Sequence, residues 1–260
     1  MCYDSDARPP SPPGATGGAT GEDMELASED GNHFCAFAAH PGGPATQAQV
    51  VIFPDVRGLH RFYKELALRF AEKGIEAIAI DYFGRTAGIG SRDDSFDFTS
   101  HVPHLTLPTF LADVRAALAY LRNAGSPGAG RAAFTVGFCM GGSLSLLAGA
   151  EDLDLAGIIA FYSGFRREFA GSQGSTLDRT RNIRVPVLGL YGGADQGIPP
   201  SDLQKLDENL GKAGVEHEIV VYPGAPHSFF DRKAIEFADA SADAWERVLG
   251  FIGKHSEKTR

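Results

Sequence analysis

Cysteine is scarce in this chain, with three in 260 residues. Cys2, Cys35 and Cys139 lie far apart, and none belongs to a C-x-x-C pair. Such spacing offers neither a zinc site nor a redox couple, and an odd, scattered set fits a reducing, cytoplasmic setting. Long apolar runs are missing too: none reaches membrane-spanning length, and the N-terminus lacks the basic-then-apolar order of a secretory leader. No basic tract stands out. Lys and Arg number 24 against 33 Asp and Glu, a net charge of −9, so a nucleic-acid partner has no support. No internal repeat is visible. What remains is a chain 43% hydrophobic and 22% charged, the composition of a globular protein with one large core.

Residues 1–23 are rich in Pro, Gly, Ser and Ala. That composition reads as an extended, flexible arm ahead of a single domain over 24–260. Beyond it, apolar strands alternate with helical periodicity. His33 to Ala39 reads as an outer strand, with Cys35 a packing residue. Gln49 to Phe53, Ile75 to Ile80, Arg131 to Val136, Ala156 to Tyr162, Val185 to Tyr191 and Glu218 to Tyr222 read as further strands. Helices are expected over His60–Lys73, Pro108–Arg122, after residue 139, over Ser201–Ala213 and over Ala234–Ile252. Residues 86–107 form a long polar loop of the kind that often belongs to a binding site, and 165–182 look irregular. The alternation predicts an α/β fold, a mostly parallel central sheet with helices on both faces.

The chain is organised around Val136-Gly137-Phe138-Cys139-Met140-Gly141-Gly142. A strand meets a sharp turn and then a helix, with the G-x-nucleophile-x-G spacing of the α/β-hydrolase elbow and cysteine where serine usually stands. A nucleophile in a strained backbone needs neighbours nearly free of side chain, which Gly137 and Gly141 supply. The following helix N-terminus favours a thiolate and offers N–H groups to a developing oxyanion. A small buried core cysteine is the alternative reading. Phosphate binding by Gly141-Gly142 lacks the P-loop lysine.

Strand ends in such a sheet gather at one edge, where ligands bind. Four of them carry polar groups: Asp55, Cys139, Asp195 and His227. The order nucleophile, acid, histidine is the one this fold uses. Of eight histidines, only His227 follows the last strand on that edge; His255 lies in the tail. It would take the thiol proton, and Asp195 would hold its tautomer. A loop histidine and a turn aspartate are the bland alternatives.

With Gly137-Phe138-Cys139-Met140-Gly141-Gly142, Gly193-Ala194-Asp195 and His227-Ser228-Phe229 in hand, the chain from about residue 24 resembles the dienelactone hydrolase (carboxymethylenebutenolidase) family. The resemblance implies hydrolysis of a small enol-lactone or ester without metal or organic cofactor. It implies backbone N–H groups of Val56 and Met140 as the oxyanion hole. Asp55 stands where the family has a glutamate that touches the resting thiol and gates it, and is one methylene shorter. Arg85 matches an arginine that binds the substrate carboxylate. A second such arginine, four residues after the histidine, is replaced by Asp231, beside Arg232. A weak preference for anionic lactones is therefore expected, unless Asp231 points away and Arg57 or Arg232 substitutes. Other readings are a general carboxylesterase, a thiol redox sensor with Cys35 approaching in space, and a ligand-binding protein on an inactive scaffold. The oligomeric state is not legible.

Overall fold

The computed structural model describes residues 6–15, 18–123 and 130–256; Cys2 lies outside them. Their strands form one eight-stranded sheet: β1 (Ala19–Ala27), β2 (His33–Pro41), β3 (Ala48–Phe53), β4 (Glu76–Ile80), β5 (Ala132–Phe138), β6 (Gly157–Phe161), β7 (Val187–Gly192) and β8 (His217–Tyr222). The helices are α1 (Arg61–Ala71), α2 (Gly84–Ala87), α3 (Leu107–Arg122), α4 (Met140–Ala148), α5 (Thr176–Arg179), α6 (Pro200–Lys212) and α7 (Ala238–Ser256).

Across the sheet the order is β1-β2-β4-β3-β5-β6-β7-β8. β1 and β2 are antiparallel to their neighbours, and β4 through β8 run parallel. The strands β3, β5, β6 and β7 are buried at every position, as continuous apolar runs require when both faces are covered. β6 shows the covering directly. A Cβ on Gly157 would meet the ring of Phe251 on α7, whereas one on Gly149, just after α4, would meet Ile158. Adjacent residues of a strand point to opposite faces, so α7 and α4 sandwich the sheet there.

The chain winds outward from β3 to β4, then returns to β5 beside β3 and proceeds the other way to β8. The sheet therefore reverses between β3 and β5, and the crevice beyond their carboxyl ends is where such sheets hold ligands. Residues 54–58 and the elbow both stand at that crevice.

Two expectations shift. The first residues are more engaged than their composition suggests. β1 begins at Ala19, inside the expected arm, and pairs with β2 along its whole length. Pro9 and Pro12 are buried, Trp245 Nε1 donates to the Pro10 carbonyl at 2.9 Å, and Lys73 Nζ donates to the carbonyls of Pro13 and Gly14. Proline has no N–H to give, but its carbonyl still accepts, and the donors come from α7 and from Lys73 just beyond α1. The closing helix starts at Ala238 rather than Ala234, because 228–237 fold as successive turns. Among the described residues no helix is long and apolar enough to cross a membrane.

Candidate active site

Cys139 follows β5 directly and caps α4, with φ 54° and ψ −113°. Few non-glycine residues adopt a positive φ, and the surroundings over-determine this one. A Cβ on Gly137 would lie 2.0 Å from the Gly141 carbonyl oxygen, and one on Gly141 would lie 2.1 Å from that of Phe53. Both glycines are thus required by close backbone approach, and the second brings the elbow against the end of β3. The Cys139 N–H donates to the Phe161 carbonyl at 3.0 Å, tying the turn to β6. Met140 is the first residue of α4, and the N–H groups of a first turn have no partner within their helix.

Asp195 lies beyond β7 and His227 beyond β8, and the tertiary fold joins them. His227 Nδ1 is 2.6 Å from Asp195 Oδ2. The other carboxylate oxygen of Asp195 accepts from the Gly197 N–H at 2.9 Å. With both oxygens occupied and its side chain 4% exposed, Asp195 holds the ring in one orientation. Nδ1–H toward the carboxylate leaves Nε2 as the basic nitrogen. Nε2 is buried, with no hydrogen-bond partner among the described residues. The Tyr162 ring packs 4.9 Å from the imidazole, centroid to centroid.

Asp55, expected beside the thiol, is gripped by Arg57. Its Oδ1 accepts from the Arg57 N–H at 2.9 Å, closing a tight turn around Val56. The guanidinium donates to both carboxylate oxygens through Nε (3.0 and 3.1 Å) and Nη2 (2.8 Å). Any gating movement of Asp55 would have to break those contacts first. The same Nη2 donates to Asp231 Oδ2 at 2.5 Å, so one buried arginine bridges two buried carboxylates. Asp231 does not stand as a free anion in the cleft.

Arg85 also sits differently from its expected place at a substrate carboxylate. It lies on α2 and donates to Asp113 (3.1 and 2.8 Å) and to Asp30 (2.7 and 3.1 Å). Asp113 is further held by Ser28. The short α2 turn directs the side chain toward α3 and the β1–β2 connection, a partnership invisible in the local sequence. Arg232 lines a cavity of about 660 Å³ beneath residues 6–11, together with Asp231.

Tyr63, Tyr82 and Tyr162 were not singled out by the sequence, yet all three are buried at this edge. Burial is the main cause that pushes their hydroxyls up, with Asp55 adding to each. They therefore remain neutral, and the Tyr63 and Tyr162 hydroxyls have no hydrogen-bond partner among the described residues. Tyr82 Oη donates to the Pro54 carbonyl at 3.0 Å and to that of Asp55, fixing the residues just before Val56. Tyr162 has φ 35°, and its only sequence signal was its place at the end of a continuous apolar strand.

Burial pushes Asp231 up to about 7; Arg57 opposes that rise and the neighbouring Asp55 charge adds to it. Above 3.8 an unfolded Asp231 loses its proton, whereas the folded one keeps it until about 7. The stability Asp231 contributes is therefore full below 3.8 and is lost as pH rises toward 7. Urea denaturation at about pH 4.5 and 7.5, for wild type and Asp231→Asn, isolates this group. The wild-type advantage should shrink across that interval by on the order of a few kcal/mol, and an unchanged difference would refute the assignment.

Residues 34–256 match the profile of the dienelactone hydrolase family. A protein of Methylorubrum extorquens with the provisional name carboxymethylenebutenolidase is 28% identical over 223 residues, 85% of this chain and 76% of its own length. One of Synechocystis with the same provisional name is 29% identical over 227 residues, 82% of this chain and 88% of its own. Among solved structures, a provisionally named dienelactone hydrolase of Klebsiella pneumoniae superimposes with a TM-score of 0.78 at 26% identity, covering 90% of this chain and 98% of that one. The acylaminoacyl peptidase of Pyrococcus horikoshii, at 14% identity and TM-score 0.74 over 92% of this chain and 42% of its own, shares the fold. The chain belongs to the dienelactone hydrolase family and is a carboxylic ester hydrolase of that kind.

Proposed function

We propose that the protein cleaves a small lactone or short ester through a thioester on Cys139, with His227 as the base and Asp195 as the group that orients it. The observation that carries this reading is the imidazole itself. It is bound through Nδ1 to Asp195 at 2.6 Å and keeps a buried, unpartnered Nε2, at the edge where a strained cysteine opens a helix. Nε2 takes the thiol proton as sulfur attacks the acyl carbon. The oxyanion receives hydrogen bonds from the N–H groups of Met140 and Val56. Collapse expels the alkoxide, which takes the proton back from the imidazolium. Water then attacks the thioester, giving its proton to Nε2, and the thiol leaves reprotonated. For a lactone the alkoxide stays attached, and the product is a single hydroxy acid.

A redox sensor fits less well. Cys35 sits on β2, with β4 and β3 between that strand and β5. At about 4.8 Å per strand, roughly 14 Å of sheet separates β2 from β5, beyond the ~7 Å a disulfide allows between Cα atoms. The test is to quench turnover of p-nitrophenyl acetate in acid and map the acyl group by mass spectrometry. An acetyl group on the Cys139 peptide is expected. Steady turnover with no acylated cysteine at any quench time would sink the thioester mechanism.

A further inference from the structure

Three guanidinium groups that follow β3 and β4 are already committed. Arg57, at the end of β3, is shared between Asp55 and Asp231, with the three side chains 3%, 5% and 1% exposed. Arg85 is shared between Asp30 and Asp113. Arg92, on the loop after α2, pairs with the fully buried Asp81 at 2.8 Å and stacks over Phe96 at 4.7 Å. Breaking a buried pair by drawing off one partner is strongly destabilising, so none of these cations is readily lent to a ligand.

The Arg57 group stands beside the elbow. Asp55 follows Pro54, whose carbonyl oxygen would lie 2.3 Å from a Cβ on Gly141, and the Arg57 guanidinium lies 5.8 Å from the Tyr63 ring, which packs 5.7 Å from Phe138. Two carboxylates share one guanidinium there, so the group is negative whenever both are ionised. Behind the elbow the core is aromatic: Phe138 packs on Phe161 at 4.6 Å, and Phe161 on Phe230 at 4.7 Å. A substrate carboxylate there would meet an occupied cation and, once Asp231 is ionised, a surplus of negative charge, and would lose its hydration without compensation.

Resting on the ester-hydrolase reading above, we infer that this site takes an uncharged ester or lactone and rejects a substrate carboxylate, with Asp231 as the specificity-determining residue because it completes the clamp on Arg57. A carboxylate four residues after the histidine thus consumes the cation that an anionic substrate would need.

The test uses para-acetoxybenzoate and methyl para-acetoxybenzoate, whose carboxylate cannot reach its own acetyl group. Each kcat/KM is normalised to the hydroxide rate. Wild type should favour the methyl ester at least about tenfold, the worth of one charge-assisted hydrogen bond. Asp231→Asn, which loosens the clamp, should cut that preference several-fold through KM. Equal rates, a preference for the acid, or a preference unmoved in Asp231→Asn would overturn the inference. Should the variant not fold, inhibition of wild type decides: benzamide should bind at least severalfold more tightly than benzoate, and the reverse order would overturn the inference. Turnover of neither ester by wild type is a different failure, which removes the ester-hydrolase reading on which the inference rests.

Discussion

Replacing Cys139 by alanine is expected to abolish ester hydrolysis, by at least about three orders of magnitude in kcat/KM. The backbone at this position is held by the Phe161 carbonyl and by the contacts of Gly137 and Gly141, so the variant loses the sulfur and keeps the turn. Alanine at φ 54° bears the same strain as cysteine, and the fold should survive. Near-complete loss would therefore report chemistry rather than collapse. What the oxyanion hole retains is stabilisation without a nucleophile, which explains why some acceleration over water can persist. The control is Cys35→Ala. That thiol faces the Gly90 carbonyl at 3.7 Å on the far side of β4 and β3, and its removal should leave kcat/KM within about twofold. Substantial activity in Cys139→Ala with p-nitrophenyl acetate, or its loss in Cys35→Ala, would overturn the assignment of the nucleophile.

Nearly as large an effect is expected from the histidine. His227→Ala removes the acceptor of the thiol proton and should cost about three to four orders of magnitude in kcat. Asp195→Asn acts through the ring. Its amide can present N–H where the carboxylate accepted the Nδ1 proton, which favours the tautomer with Nε2 protonated and unable to act as base. It should therefore cost nearly as much while leaving KM little changed. Because Asp195 also holds the Gly197 N–H, the chosen change is to asparagine, whose remaining oxygen can keep that bond. His101 is the discriminating control. It stacks on Phe96 at 5.2 Å, within the long loop. His101→Ala should change kcat by less than His227→Ala by at least about two orders of magnitude. An essential His101 together with a dispensable His227 would mean that the reacting edge is placed wrongly.

The sequence by itself determined the α/β class and the position of the elbow, for a local reason. Fully covered parallel strands leave continuous apolar runs, as in β3 and β5, and a strained nucleophile needs glycine two residues away on either side. Chain order placed Asp195 and His227 on one edge, since strand ends of a parallel sheet share an edge, and the two side chains meet there at 2.6 Å. Only the tertiary structure decided the partners of charged groups. Arg57 and Asp231 are 174 residues apart, and Arg85 meets Asp30 and Asp113 across 55 and 28 residues. No periodicity or turn signal encodes which carboxylate a guanidinium finds, because pairing depends on where loops converge in space and on how little water remains there. The same holds for β1, whose mostly exposed residues show little strand pattern and become a strand because β2 offers it an open edge. Strain, burial and hydrogen bonding along the backbone are local demands that composition records. Charge pairing in a buried crevice is a long-range outcome, and it moved Asp231 from a free anion in the cleft to a fixed clamp on Arg57.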